Sequence, residues 1–348
     1  MSRTERISAI RRYLAAHRAD AYLISSPANV LYLSGFTNND CFLVLTQTAN
    51  YFVGDSRYTL QAEQEVGGTY SVIALKNSLE QTLQRLAARK RWARICFEPR
   101  RISVYAYRRL SSGLGKAIRL LAGEDVLAPL RMQKTAVELA CIRRAQEITR
   151  KSVEQLRQSI APAMTELAVK HRLEQLLYDH GAEKTAFDVI IAAGEHAAMP
   201  HAVAGQRKIG RKEPVVVDVG SVWQGYNSDL TRTLFFGTMA QHNKYYRLVA
   251  AAQERAIENI RPDVPIADID RAARQVFKKA GLERYFSHAV GHGVGLEIHE
   301  PPSVSSTNKA RIKPGMVFTV EPGLYIPGWG GVRIEDLITV TERGCEIL

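Results

Sequence analysis

The sequence predicts an α+β protein of two domains, a smaller α/β domain followed by a larger mixed one. Three observations predict it. The chain has 348 residues, more than one hydrophobic core usually serves. Helical and strand patterns alternate through its first third, then give way to long helices and β-branched runs. Its composition, 46% hydrophobic and 24% charged, is that of a folded globular chain and excludes disorder. The expected domains are residues 1–128 and 129–348, with the boundary marked by Ala128-Pro129.

Element by element, Glu5–His17 carries Ile7, Ile10 and Leu14 at helical spacing. Ala21–Ser25, Phe42–Thr46 and Asn50–Val53 read as short strands, Leu79–Ala88 as a helix and Ala93–Phe97 as a strand. Beyond the boundary, Thr135–Leu156 places Val137, Cys141, Ile148 and Val153 in a helical pattern. Thr165 is a suitable N-cap for the next helix, and Gly181 a suitable stop. Val215–Val219 reads as a buried strand, as do Met316–Glu321 and Val332–Thr341. Helices fit Tyr245–Asn259 and Ile266–Ala280.

Several function classes are disfavoured. No apolar run approaches the roughly 18–20 residues of a transmembrane helix. The N-terminal stretch is polar and basic without the apolar core of a secretory signal, so the reading is cytoplasmic, with no membrane partner. Cys41, Cys96, Cys141 and Cys345 are scattered and read as free thiols. The net charge of +12 raises nucleic acid as a partner. However, the excess is spread over segments such as Arg85–Arg94 and Arg100–Arg109, with no zinc or RNA-binding signature. A solvated basic face, and no nucleic acid, is the reading taken.

The chemistry concentrates in two groups of residues. His288, His292 and His299 fall in one glycine-rich stretch, Ser287–Glu300. A helical H-E-x-x-H zinc site fails there, because no Glu follows His288 and because Gly291, Gly293 and Gly295 disfavour a helix. A dinucleotide fingerprint fails on spacing. What remains is a strand or loop that brings the backbone close to something while presenting imidazoles. The second group is carboxylates at strand ends. Asp218 ends the run Val215–Val217, and Asp229 follows a turn at Gly225 and Asn227, so the two acids can lie side by side on one hairpin. Glu321 and Glu335 repeat the design, with Arg333 on the same strand face as Glu335. Two such hairpins suggest an internal repeat of weak identity.

Four converging carboxylates repel unless balanced, and two divalent cations supply the countercharge. His292 completes a donor set rich in oxygen and free of thiolate, which favours Mn, Co or Fe over a structural zinc. Such a pair can bridge a hydroxide and polarise a carbonyl. Singly, each residue reads as a turn, a cap or a core group. Their joint order is far more specific.

That order resembles the pita-bread metallopeptidases, the family of aminopeptidase P, prolidase and methionine aminopeptidase. The matching stretches are Val217–Gly220, Ser228–Arg232, His288–Glu300, Thr319–Gly323 and Val332–Asp336. The resemblance is strongest over residues 130–348, and the leading residues are similar to the ribonuclease H-like N-terminal domain of the aminopeptidase P and prolidase branch, where Phe52–Tyr58 fits. It implies a pita-bread catalytic domain with a pseudo-twofold repeat. It implies that Asp218 binds one metal, that Asp229 and Glu335 bridge both, and that His292 and Glu321 hold the second. It further implies that His201 and His288 line the pocket, that His299 hydrogen-bonds the substrate, that Arg333 organises the site, and that Glu321 shuttles a proton. Glu195-His196 departs from the small or polar pair common in relatives and alters the pocket rim.

The resemblance therefore implies a homodimeric exopeptidase with two divalent ions, manganese first and cobalt, iron or zinc as alternatives. Its substrates would be small peptides with proline in second position. Xaa-Pro aminopeptidase is the leading expectation and Xaa-Pro dipeptidase the alternative. A non-peptidase C–N hydrolase and a metal-free binding module on the same fold rank lower.

Overall fold

The structure, a computed structural model, describes residues 1–37, 40–237 and 240–348. It divides into two compact units, Met1–Leu130 and Arg131–Leu348.

In the first unit, helix α1 (Arg3–Ala16) starts at a capping box between Ser2 and Glu5 and buries Ile7, Ile10 and Leu14. Strands β1 (Ala21–Ile24), β2 (Cys41–Thr46), β3 (Asn50–Asp55), β4 (Ser71–Leu75), β5 (Arg94–Phe97) and β6 (Arg119–Ala122) form one sheet in the order β4-β3-β2-β1-β5-β6. β1 is central and buried along its whole length, which is why it reads as an unbroken apolar run. Helices α2 (Pro27–Ser34), α3 (Thr59–Val66), α4 (Leu79–Lys90) and α5 (Val104–Leu114) complete the unit. The sequence gives little sign of α2. Its start depends on Glu98, whose carboxylate accepts from the backbone N–H groups of Ser25 and Ser26 and from the Asn29 amide, 69 to 73 residues away in sequence.

Ala128-Pro129, expected as a break, opens a short helix α6 (Ala128–Met132), because proline is tolerated in the first turn, where its missing N–H costs nothing.

The second unit contains helices α7 (Ala136–Ser159), α8 (Glu166–Asp179), α9 (Ala240–Ile257) and α10 (Ile266–Lys279). Its strands are β7 (Lys184–Thr185), β8 (Ile190–Ala193), β9 (Pro214–Val219), β10 (Ser221–Trp223), β11 (Tyr226–Asn227), β12 (Leu230–Phe235), β13 (Gly291–Gly293), β14 (Glu300–Val304), β15 (Val317–Val320), β16 (Gly323–Ile326), β17 (Gly330–Arg333), β18 (Asp336–Val340) and β19 (Cys345–Ile347). Thr165 caps α8 by accepting from Ala168 N, and Thr135 forms a capping box with Glu138 at the start of α7. Val137, assigned above to the apolar face of α7, is 74% exposed, and the capping Glu138 is buried in its place.

This unit is built twice. α7 and α8 pack on the sheet β12-β9-β8 around Leu156, Leu173, Val215 and Val217. α9 and α10 pack beside the sheet β14-β13-β15-β18-β19 around Val249, Phe277, Phe318 and Ile338. The two helix–helix connections match at a spacing of 100 residues. Ile160, Pro162 and Val169 correspond to Ile260, Pro262 and Ile269. Ala163 and Asp263 are both left-handed, with φ of 74° and 67°. Ala163 N donates to Ile209 O at 2.8 Å, and Asp263 N to Ile312 O at 3.0 Å. The repeat is carried by main-chain hydrogen bonds, which place few demands on side-chain identity.

Candidate metal centre

Asp218 lies on β9, whose residues are all buried, and pairs across the sheet with Thr231 of β12. Asp229 sits one residue before β12, two positions from Thr231, and so faces the same side as Asp218. The expected hairpin is not simple, because β10 and β11 leave it to form a separate small sheet with β7. In the other half, the expected strand Val332–Thr341 is broken. β17 ends at Arg333 and β18 starts at Asp336, so Glu335 falls in the gap, and Glu321 falls just after β15. With Val320 paired to Asp336, the break sets Glu321 and Glu335 across from one another.

Thr231 and Thr233 stitch the halves together. Thr231 Oγ1 donates to Glu335 Oε2 at 2.7 Å, and Glu335 N donates to Thr231 O at 3.1 Å. Thr233 Oγ1 donates to Arg333 O at 2.9 Å and accepts from Arg333 N at 3.0 Å. On the outer side, the buried Gln146 of α7 donates to Asp229 O and accepts from Asp229 N. It serves that residue's backbone as a neighbouring strand would.

Ligand atoms of Asp229, His292 and Glu335 all lie within 4.8 Å of one another. Glu321 adjoins them, with its Oε1 3.4 Å from His292 Nε2. Asp218 stands outside the three-residue group. Its Oδ2 pairs with Arg333, while Oδ1 is buried with no hydrogen-bond partner among the described residues.

The donor set fits divalent cations. Burial raises the Asp229 carboxyl well above the usual carboxylate range, and Glu335, Asp218 and Glu321 raise it further. Glu335 is raised in the same way by burial, Glu321 and Asp218. Burial pushes Glu321 up to about 7 against the pull of Arg333. Nearby cations relieve such mutual repulsion. His292 agrees. Nδ1 faces Gly293 O at 3.2 Å, which assigns the ring proton there and turns the lone pair of Nε2 toward Asp229 and Glu321. Burial lowers this imidazole to about 4, so it stays neutral and able to ligate.

The remaining residues surround this group. His299 packs edge-on to His292, with ring centroids 4.2 Å apart. His288 Nδ1 faces Ala289 O, and Nε2 lies 2.9 Å from the Tyr325 hydroxyl. Arg333 donates to the same hydroxyl at 2.9 Å. A continuous chain therefore runs Asp218–Arg333–Tyr325–His288, in which Tyr325 donates its proton to His288. Nothing local in Gly323–Ile326 distinguishes Tyr325 from a core tyrosine, so the sequence does not mark it. His201 is exposed and close enough to His288 and His299 to lower both, after burial.

Comparison with known proteins adds to this geometry. The family model for metallopeptidase family M24 matches residues 140–342, and that for the creatinase/prolidase N-terminal domain matches residues 6–133. The Xaa-Pro dipeptidase of Pyrococcus furiosus is 34% identical over 99% of this chain and 97% of its own. The solved Xaa-Pro dipeptidase from Bacillus anthracis superposes with a TM-score of 0.94 at 30% identity, covering 99% of this chain and 97% of that one. The X-Pro aminopeptidase from Thermotoga maritima superposes with a TM-score of 0.88 at 33% identity, covering 97% of each.

Proposed function

The chain belongs to metallopeptidase family M24 and is a hydrolase, and on that premise we propose that it is an Xaa-Pro dipeptidase, cleaving the bond between an N-terminal residue and a following proline. Members of the family use divalent metal ions, usually two. The observation that carries the reading is the convergence of Asp229, His292 and Glu335 from both halves, with Glu321 against His292. From sequence alone, aminopeptidase is the leading expectation and dipeptidase its alternative. The names of the relatives support its alternative better, and a metal-free binding module has no support from them.

Asp218, Asp229, His292, Glu321 and Glu335 would hold two ions, with manganese favoured by the oxygen-rich donors. When bound, the ions would lower the pKa of a water and polarise the scissile carbonyl. Glu321, whose Oε1 accepts from Thr319 Oγ1, would also shuttle a proton to the leaving nitrogen. His201, His288 and His299 would hydrogen-bond substrate. Arg333 would fix Asp218 and, through Tyr325, His288. Residues 129–348 would form the catalytic domain and residues 1–128 the N-terminal domain of a cytoplasmic homodimer. That setting is consistent with the four free cysteines.

A second reading, Xaa-Pro aminopeptidase acting on longer peptides, is favoured by the Thermotoga relative. Length-resolved assay separates the two. The manganese-loaded chain should cleave Xaa-Pro dipeptides and leave Xaa-Pro-Yaa peptides intact. Equal cleavage of both would replace the first reading with the second.

A further inference from the structure

Glu166 opens α8 with none of its surface exposed. A carboxylate so deeply buried needs donors, and it has three. Ala193 N donates at 2.8 Å, Gly205 N donates at 3.3 Å, and His196 Nδ1 lies 2.9 Å from each carboxylate oxygen. These donors mark the entry, the body and the exit of one segment, Gly194 to Ala204, which carries His201. The opposite side of the segment rests on β17. A Cβ on Gly331 would stand 1.9 Å from Ala197 O, so no other residue permits this approach. Arg333 Nη1 donates to Pro200 O at 3.4 Å, immediately before His201.

The segment is therefore pinned between a buried carboxylate and the strand that supplies Arg333. We infer that Glu166 and His196 form a latch that sets the position of His201 beside the metal-ligand group. Both are positioning residues for the reaction. The inference rests on the peptidase reading of the site.

The imidazole contributes one donor, Nδ1–H, directed at the carboxylate. An asparagine amide places a donor at nearly the same point, and alanine places none. The test compares His196→Ala and His196→Asn in the full, manganese-loaded chain. It reads kcat and KM on an Xaa-Pro dipeptide, metal content per chain, and amide hydrogen exchange over residues 193–205. His196→Ala should lower kcat by about 10-fold or more, as expected for a misplaced group, with little change in KM or metal content. It should speed exchange of the Ala193 and Gly205 amides, and His196→Asn should restore both rate and protection. Wild-type kcat in the alanine variant, or an asparagine variant as impaired as alanine, overturns the latch. If the unmodified chain cleaves no Xaa-Pro dipeptide, the peptidase reading fails. Exchange then decides the latch alone: unchanged protection in His196→Ala overturns it, and faster exchange restored by asparagine sustains it.

Discussion

His292 donates from Nδ1 to its neighbour's carbonyl and so turns Nε2 on Asp229 and Glu321. One hydrogen bond thus decides whether the residue can act as a ligand. The sequence marked His292 and four carboxylates by their positions at strand ends and beside glycines. It could not mark Gln146 or Tyr325, whose partners are remote in sequence or belong to a network seen only in three dimensions. Two predictions belong at this scale. Asp229→Ala and Glu335→Ala should each cut turnover by at least about 100-fold, the upper range for losing a mere supporting partner of a ligand. Metal analysis of the same variants should show fewer than two ions per chain, and a near-wild-type rate in either would remove the two-metal reading. Gln146→Ala should lower stability by about 1–3 kcal/mol in chemical denaturation, because the backbone N–H and C=O of Asp229 lose their partner in the core. An unchanged midpoint would show that water or a neighbour replaces the amide.

At the scale of elements, strongly periodic segments were legible. α1, β1, β9 and α10 fall within a few residues of expectation, because the helices bury an apolar face and the strands are apolar runs buried on both faces. The break between β17 and β18 is marked in the sequence only by a lapse of alternation at Glu335-Asp336, and the seam with β12 decides where pairing stops. β13 owes its path to close packing: a Cβ on Gly291 would stand 1.9 Å from Thr319 O. Gly291→Ala should therefore shift β13 and destabilise the fold by roughly 1–3 kcal/mol, the usual cost of overpacking. A melting temperature equal to wild type would contradict it.

β14 begins with Glu300, buried against Lys134 and Arg131. Burial acts to raise this carboxyl, but the two cations outweigh it and hold it below its usual value of 4.5. A carboxyl lowered on folding stabilises fully above its unfolded value and loses that contribution as pH falls through the folded one. Stability should therefore drop below about pH 4.5, and Glu300→Gln should flatten this limb while lowering stability at neutral pH. Parallel pH curves for the two proteins would refute the assignment.

For the molecule as a whole, the candidate metal-ligand group lies where two similar halves meet. Asp218 and Asp229 come from one half, and His292, Glu321 and Glu335 from the other, joined by Thr231 and Thr233. Burial, and then their acidic neighbours, raise the carboxyls of Asp229 and Glu335. Chelation should accordingly lower the melting temperature of the metal-loaded chain, since ions that bind only the folded state stabilise it. An unchanged melting temperature after verified metal removal would count against a cation at the seam. Among the described residues, no helix is long and apolar enough to cross a membrane.

The sequence by itself determined the candidate ligand types, their order and the glycines around them, because these are local choices of chemistry and backbone freedom. It also determined the main helices and buried strands, through periodicity. Only the tertiary structure decided that Asp218 turns to Arg333 while Asp229, His292 and Glu335 close on one another. It alone brought Glu166 to the segment bearing His201. Those outcomes depend on hydrogen bonds and packing between residues far apart in sequence, which no local pattern encodes.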